Sequence, residues 1–248
     1  MVSKESLVVL IVVIAVVVAA ASVSAAVWMG DPREAVLPRR PRFLVLVGLM
    51  IVAAPLGMFA ELGDGLAASS VSGFAELGGP WVILAFIGGF MVADKIASVI
   101  VGSGLLTVAM CAYFAFQFSM NWRARFGWHA LNGDWDVTFW TAAAAIAGAI
   151  FGLCGWLGSR THPVCCAAGF SLLAAFLLAE TIFSLMRVGE GVSWLLVISE
   201  GIAALAVVGF GIWRSSARLF VTAVALTLGV AMALSLLAFA TFPVLAAS

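Results

Sequence analysis

The chain alternates between long apolar runs and short polar breaks, and the runs set its architecture. Runs of spanning length fall near residues 7–29, 43–60, 78–93, 96–118, 138–158, 164–186, 193–213 and 218–240. A bilayer core about 30 Å thick takes about 20 apolar residues as a helix, so each run reads as one span. The stretch 81–119 is too long for a single span, and Asp94-Lys95 in its middle reads as a tight turn closed by an interfacial ion pair. Apolar residues are continuous within the runs rather than alternating. That argues against strands, because lipid admits only helices or closed barrels. The predicted fold is all-α: a polytopic transmembrane helical bundle of about eight spans, in one integral membrane domain over residues 1–248. The segment 78–93 is the shortest, and its length leaves open whether it crosses fully.

The polar breaks carry orientation. One set of breaks holds Arg33, Arg39, Arg40, Arg42, Lys95, Arg160, Arg214 and Arg218, and the other holds Lys4, Arg123, Arg125 and Arg187. The positive-inside rule places the richer set in the cytoplasm and both termini outside. The first run follows a charged start and contains small residues that mimic a signal-peptidase site, but it extends through Met29, so it is read as a retained helix. The two longer breaks, 61–80 and 119–137, fall outside. The first is acidic and rich in Gly and Ser, suited to a re-entrant cap. The second interleaves Trp122, Trp128 and Trp135 with charged residues, suited to the headgroup region.

Composition agrees with lipid as solvent. Hydrophobic residues make up 65% of the chain and charged ones 10%, where soluble domains carry about 25% charge. A formal net charge of zero without a Lys/Arg cluster offers nothing for nucleic acid. The four cysteines, Cys111, Cys154, Cys165 and Cys166, lie in apolar runs without CxxC spacing and read as small buried hydrophobes. His129, Asp134 and Asp136 form the nearest thing to a metal set, but two are plain carboxylates in a wet loop, so no metal and no cofactor is expected. Nothing matches HExxH, GxSxG, a P-loop or a dinucleotide fingerprint, so no catalytic residue is assigned and an enzyme is the less expected class.

One polar feature stands apart. FLLAETIFSLMRVGEGVSWLLVISEGI, residues 176–202, sets Glu180 and Glu200 inside adjacent spans, each ten residues from Glu190 in the break between them. On antiparallel helices rising about 1.5 Å per residue, this mirror spacing puts both carboxyls at one depth, about 10 Å inside the outer boundary. Glu180, Ser184 and Arg187 share one face at i, i+4 and i+7. Glu200 shares its stripe with Ser193, Ala203, Ala204 and Gly211, small residues that let helices approach closely. Tyr113 and Gln117 near the outer end of the fourth span lie at similar depth. An ionised acid at a helix centre costs about 3 kcal/mol, so two facing carboxyls would hold a shared proton or a cation rather than two full charges. Two readings stand: a proton or cation site, or two protonated or hydrogen-bonded acids that glue helices together.

Pro80-Trp81 followed by Ala85-Phe86 and Gly88-Gly89, Tyr113 closing the fourth span, FLLAE ending at Glu180, and Glu200-Gly201 together resemble a family of uncharacterised bacterial multi-spanning membrane proteins. The resemblance covers roughly residues 44–240. It implies an integral protein of the bacterial cytoplasmic (inner) membrane and carries no assigned activity. Three functions follow in order of expectation. The first is a small transporter or membrane substrate-binding subunit, with an outward-facing pocket of Glu180, Glu200, Tyr113, Gln117, Ser184 and Arg187 for a small solute, proton or cation. The second is an accessory or assembly subunit bound to other membrane subunits. The third is an intramembrane lipid-modifying enzyme, which lacks a visible nucleophile.

Overall fold

A computed structural model describes residues 39–65, 78–92, 94–120, 134–186 and 194–229. Every regular element among them is a helix: α1 (Arg39–Gly65), α2 (Gly79–Phe90), α3 (Lys95–Met120), α4 (Asp134–Ser159), α5 (Pro163–Met186), α6 (Trp194–Arg214) and α7 (Ala217–Gly229). Four are long and apolar enough to cross a membrane, over Lys95–Phe116, Val137–Ser159, Pro163–Leu185 and Val197–Arg214. The expected spans from 43 to 213 each fall on one helix. The span expected at 7–29, most of the breaks expected at 61–80 and 119–137, and the last turns of the eighth span lie outside the described residues.

The turns are set by local chemistry. Where the sequence suggested an Asp94–Lys95 ion pair, the Asp94 carboxylate instead caps α3, accepting the Ala97 amide at 2.8 Å. An aspartate at this position satisfies one of the helix's open N–H groups. Pro163 opens α5 directly after the three-residue turn Arg160–His162, in the first-turn position where its missing N–H is no loss. Hydroxyls inside the helices bond back to the preceding turn: Ser171 to the Ala168 carbonyl, Thr181 to Leu177 and Thr227 to Ala223.

Small residues decide which helices meet. On α3, Ala97, Val101, Leu105 and Ala109 form a buried ridge at four-residue spacing, facing Leu46, Met50 and Ala53 of α1. Gly148 and Gly152 of α4 lie against the backbone of Gly102 and Ser98 on α3, so closely that a methyl group at either glycine would strike a carbonyl oxygen. Lipid tails are as apolar as leucine, so such contacts, rather than escape from water, hold membrane helices together. The Ser103 hydroxyl adds one bond across the same crossing, donating to the Ala145 carbonyl at 2.7 Å.

Short α2 bridges two cores. Leu84 belongs to the α1–α3 cluster, while Val82, Ala85 and Phe86 belong to a second cluster built with Phe151 and Cys154 of α4 and Phe170, Leu173 and Leu177 of α5. Phe170 meets both Phe86 and Phe90 through tilted and edge-on rings, with centroids 5.1 and 6.2 Å apart. Outward faces stay apolar, with Ile51, Ile146, Ile202, Leu205 and Trp213 all exposed. That surface suits lipid and would be costly in water. All four cysteines are free; Cys111, Cys154 and Cys166 are buried.

Candidate functional site

The site grows from the length of α2. Its 12 residues span about 18 Å, well short of a bilayer core of about 30 Å. The C-terminal end of α2 lies about one turn short of the end of α4, where Gly155 touches the backbone of Phe86 and Phe90. Its head, Gly78-Gly79-Pro80, therefore begins inside the bundle, opposite Phe176, Leu177 and Glu180 of α5. Pro80 sits in the first turn, where its fixed φ suits helix entry. A helix head carries open amides and the positive end of the helix dipole.

Both glutamates reach that head. The Gly78 amide donates to Glu180 Oε1. A methyl group at residue 79 would lie 2.6 Å from Glu200 Oε1 and 3.2 Å from Glu180 Oε2, so only glycine leaves the two carboxyls their places. Glu200 is 5% exposed. Among the described residues the groups set against its carboxyl are Glu180 and the Ser184 hydroxyl, and neither is basic. Proximity does not satisfy these oxygens: Glu180 Oε2 and both Glu200 oxygens are buried without a hydrogen-bond partner among the described residues. Phe176 and Leu177 wall the head of α2, and the Phe176 ring stands edge-on to Phe151 at 5.3 Å.

The mirror spacing in the sequence thus becomes one depth and one point. Ser184, one turn beyond Glu180, is buried and joins the pair as its shared face implied. On the Glu200 stripe, Ala204 is fully buried and Gly211 lies against the Phe220 ring of α7. Tyr113 is half-buried on α3, its backbone against Gly57 of α1 and its ring edge-on to Phe114 at 5.3 Å. The Gln117 side chain and Arg187 lie outside the described residues. What the sequence reading missed is the partner element, Gly78-Gly79. The signal was present, since Gly-Gly-Pro before an apolar run marks a helix start.

Two acceptor-only groups in contact, next to helix-head amides and away from water, can hold a proton or a small cation; one such group alone would only be a buried acid. Among the described residues no cluster of three or more His, Cys, Asp or Glu side chains is placed to hold a metal ion.

No curated protein and no solved structure matches the chain. A family model does match, over residues 36–241, close to the range expected from the motifs and including α1 to α7 with both glutamates. The chain belongs to the DUF6518 family, a family of unknown function.

Proposed function

We propose that this chain is a small integral membrane transporter or membrane substrate-binding subunit, whose outward-side polar site is the Glu180/Glu200 pair. One observation carries the reading: two carboxyls from neighbouring helices converge on the head of a half-length helix, with three buried oxygens unpartnered among the described residues. Short helices whose heads end inside a bundle recur where transporters hold solutes and coupling ions. Buried acids in such bundles mark proton or ion paths.

The same reading covers the whole chain. Eight spans with both termini outside place the Lys95, Arg160 and Arg214 end of the bundle in the cytoplasm, and the glutamates toward the opposite face. The protein would reside in the bacterial inner membrane.

Thermal unfolding of the purified full chain tests the site, run across pH and with sodium, potassium or organic ammonium salts beside Glu180→Gln and Glu200→Gln. A ligand bound only by the folded state adds about 2.7 kcal/mol at one hundred times its Kd. Selective stabilisation of the wild type, in one pH range or by one of these salts and lost in either variant, is the expected result. Flat responses, with the Gln variants as stable as the wild type, would make the pair a joint between helices.

A further inference from the structure

The occupant of the pair can be narrowed. We infer that the Glu180/Glu200 site holds a single shared proton, carried by Glu200 and accepted by Glu180, rather than a metal or ammonium cation. The inference rests on the reading of the pair as a ligand site and names its ligand.

The two acids are not equivalent. Glu180 Oε1 already accepts the Gly78 amide at the head of α2, where the dipole's positive end favours a full negative charge. Glu200 receives no backbone amide: the Ser184 hydroxyl faces it, but neither of its buried oxygens has a hydrogen-bond partner among the described residues. An ionised carboxylate has only acceptors to offer, whereas a protonated one gains an O–H donor. Placing one proton on Glu200 lets it donate to Glu180 Oε2, the other unpartnered oxygen beside Gly79. That single proton turns two mutually repelling acceptors into a donor and an acceptor and leaves one negative charge against the helix head.

Space points the same way. Both carboxyls crowd one point: a methyl at residue 79 would stand 2.6 Å from Glu200 Oε1 and 3.2 Å from Glu180 Oε2, and Leu177 Cδ2 closes one side at 3.1 Å. Alkali and alkaline-earth cations ask for a shell of about six or more oxygens. The described groups at this point supply three open carboxyl oxygens and the Ser184 hydroxyl. An ammonium group would carry three N–H donors into a point walled by Leu177 and Phe176.

Infrared spectroscopy of the full chain in lipid, in H2O and D2O at neutral pH, reads the occupant directly. The expected spectrum contains a protonated-carboxyl C=O band that shifts on deuteration. Glu200→Gln removes it, and Glu180→Gln moves it, because the acceptor changes from a carboxylate to an amide. Adding sodium, potassium or methylammonium chloride leaves it in place. A missing band, or one that sodium or methylammonium erases, overturns the proton as occupant while the ligand-site reading stands. A band that survives Glu200→Gln, or that Glu180→Gln leaves unmoved, overturns the shared assignment. A band that behaves as expected in a protein without thermal response to pH or cations keeps the shared proton and removes the transport reading.

Discussion

Two glycine pairs lie at the two ends of α2, and they do opposite work. At the C-terminal end, Gly88 meets the Leu105 side chain and Gly89 meets the backbone of Gly152. At the head, Gly78 and Gly79 meet Phe176, Leu177 and the carboxyls of Glu180 and Glu200. The first pair lets a side chain and a backbone come close. The second makes room for two acids, three of whose oxygens have no hydrogen-bond partner among the described residues. Identical dipeptides in one helix therefore serve packing at one end and chemistry at the other, and the difference comes from what the neighbouring helices present.

Substitutions can break that contrast. Gly89→Ala has the largest expected effect, a loss of about 3 kcal/mol, because overpacking against backbone cannot be relieved by a rotamer change. Unfolding of the variant in detergent would measure it. Gly79→Ala should cost less, about 1–2 kcal/mol, because its Cβ would meet the mobile ends of Glu200 and Leu177. It should nonetheless abolish the response to ligand by displacing the Glu200 carboxyl. Equal losses from the two variants would mean that the head of α2 is ordinary packing. Asp94→Ala removes the α3 cap and should cost about 1 kcal/mol without touching the glutamates, as thermal unfolding with and without ligand would show. The smallest effect belongs to Gly209→Ala, where nothing lies within 4 Å of an added methyl. Relief of the glycine penalty should stabilise the protein by up to about 1 kcal/mol, visible as a raised Tm.

Much of the fold is legible in the sequence because lipid imposes a simple length rule. Residues 96–118, 138–158, 164–186 and 193–213 each became a helix within a few residues of the expected limits. The glutamates were legible for a related reason: equal counts from Glu190 fix equal depths on an antiparallel pair. Rotation was less so, and the i+4 spacing of Ser184 from Glu180 captured only part of it. Tyr113 shares the depth by count but sits on the helix that meets α1, and depth alone does not choose a face. The Asp94–Lys95 ion pair failed for a local reason, since an aspartate ahead of a helix finds a nearer partner in that helix's own amides. The Gly78–Glu180 contact spans 102 residues of chain and has no signature in either segment alone.

A double-mutant cycle on Glu180 and Glu200 tests the central claim most directly. Unfolding free energies of the wild type, Glu180→Gln, Glu200→Gln and the double variant give the coupling between the two carboxyls. Groups in contact within one network couple by about 0.5–3 kcal/mol, and independent sites add to within about 0.3–0.5 kcal/mol. The shared site predicts a coupling of 1 kcal/mol or more by this scale. Additive single effects would contradict it, and the pair would be two separate buried acids.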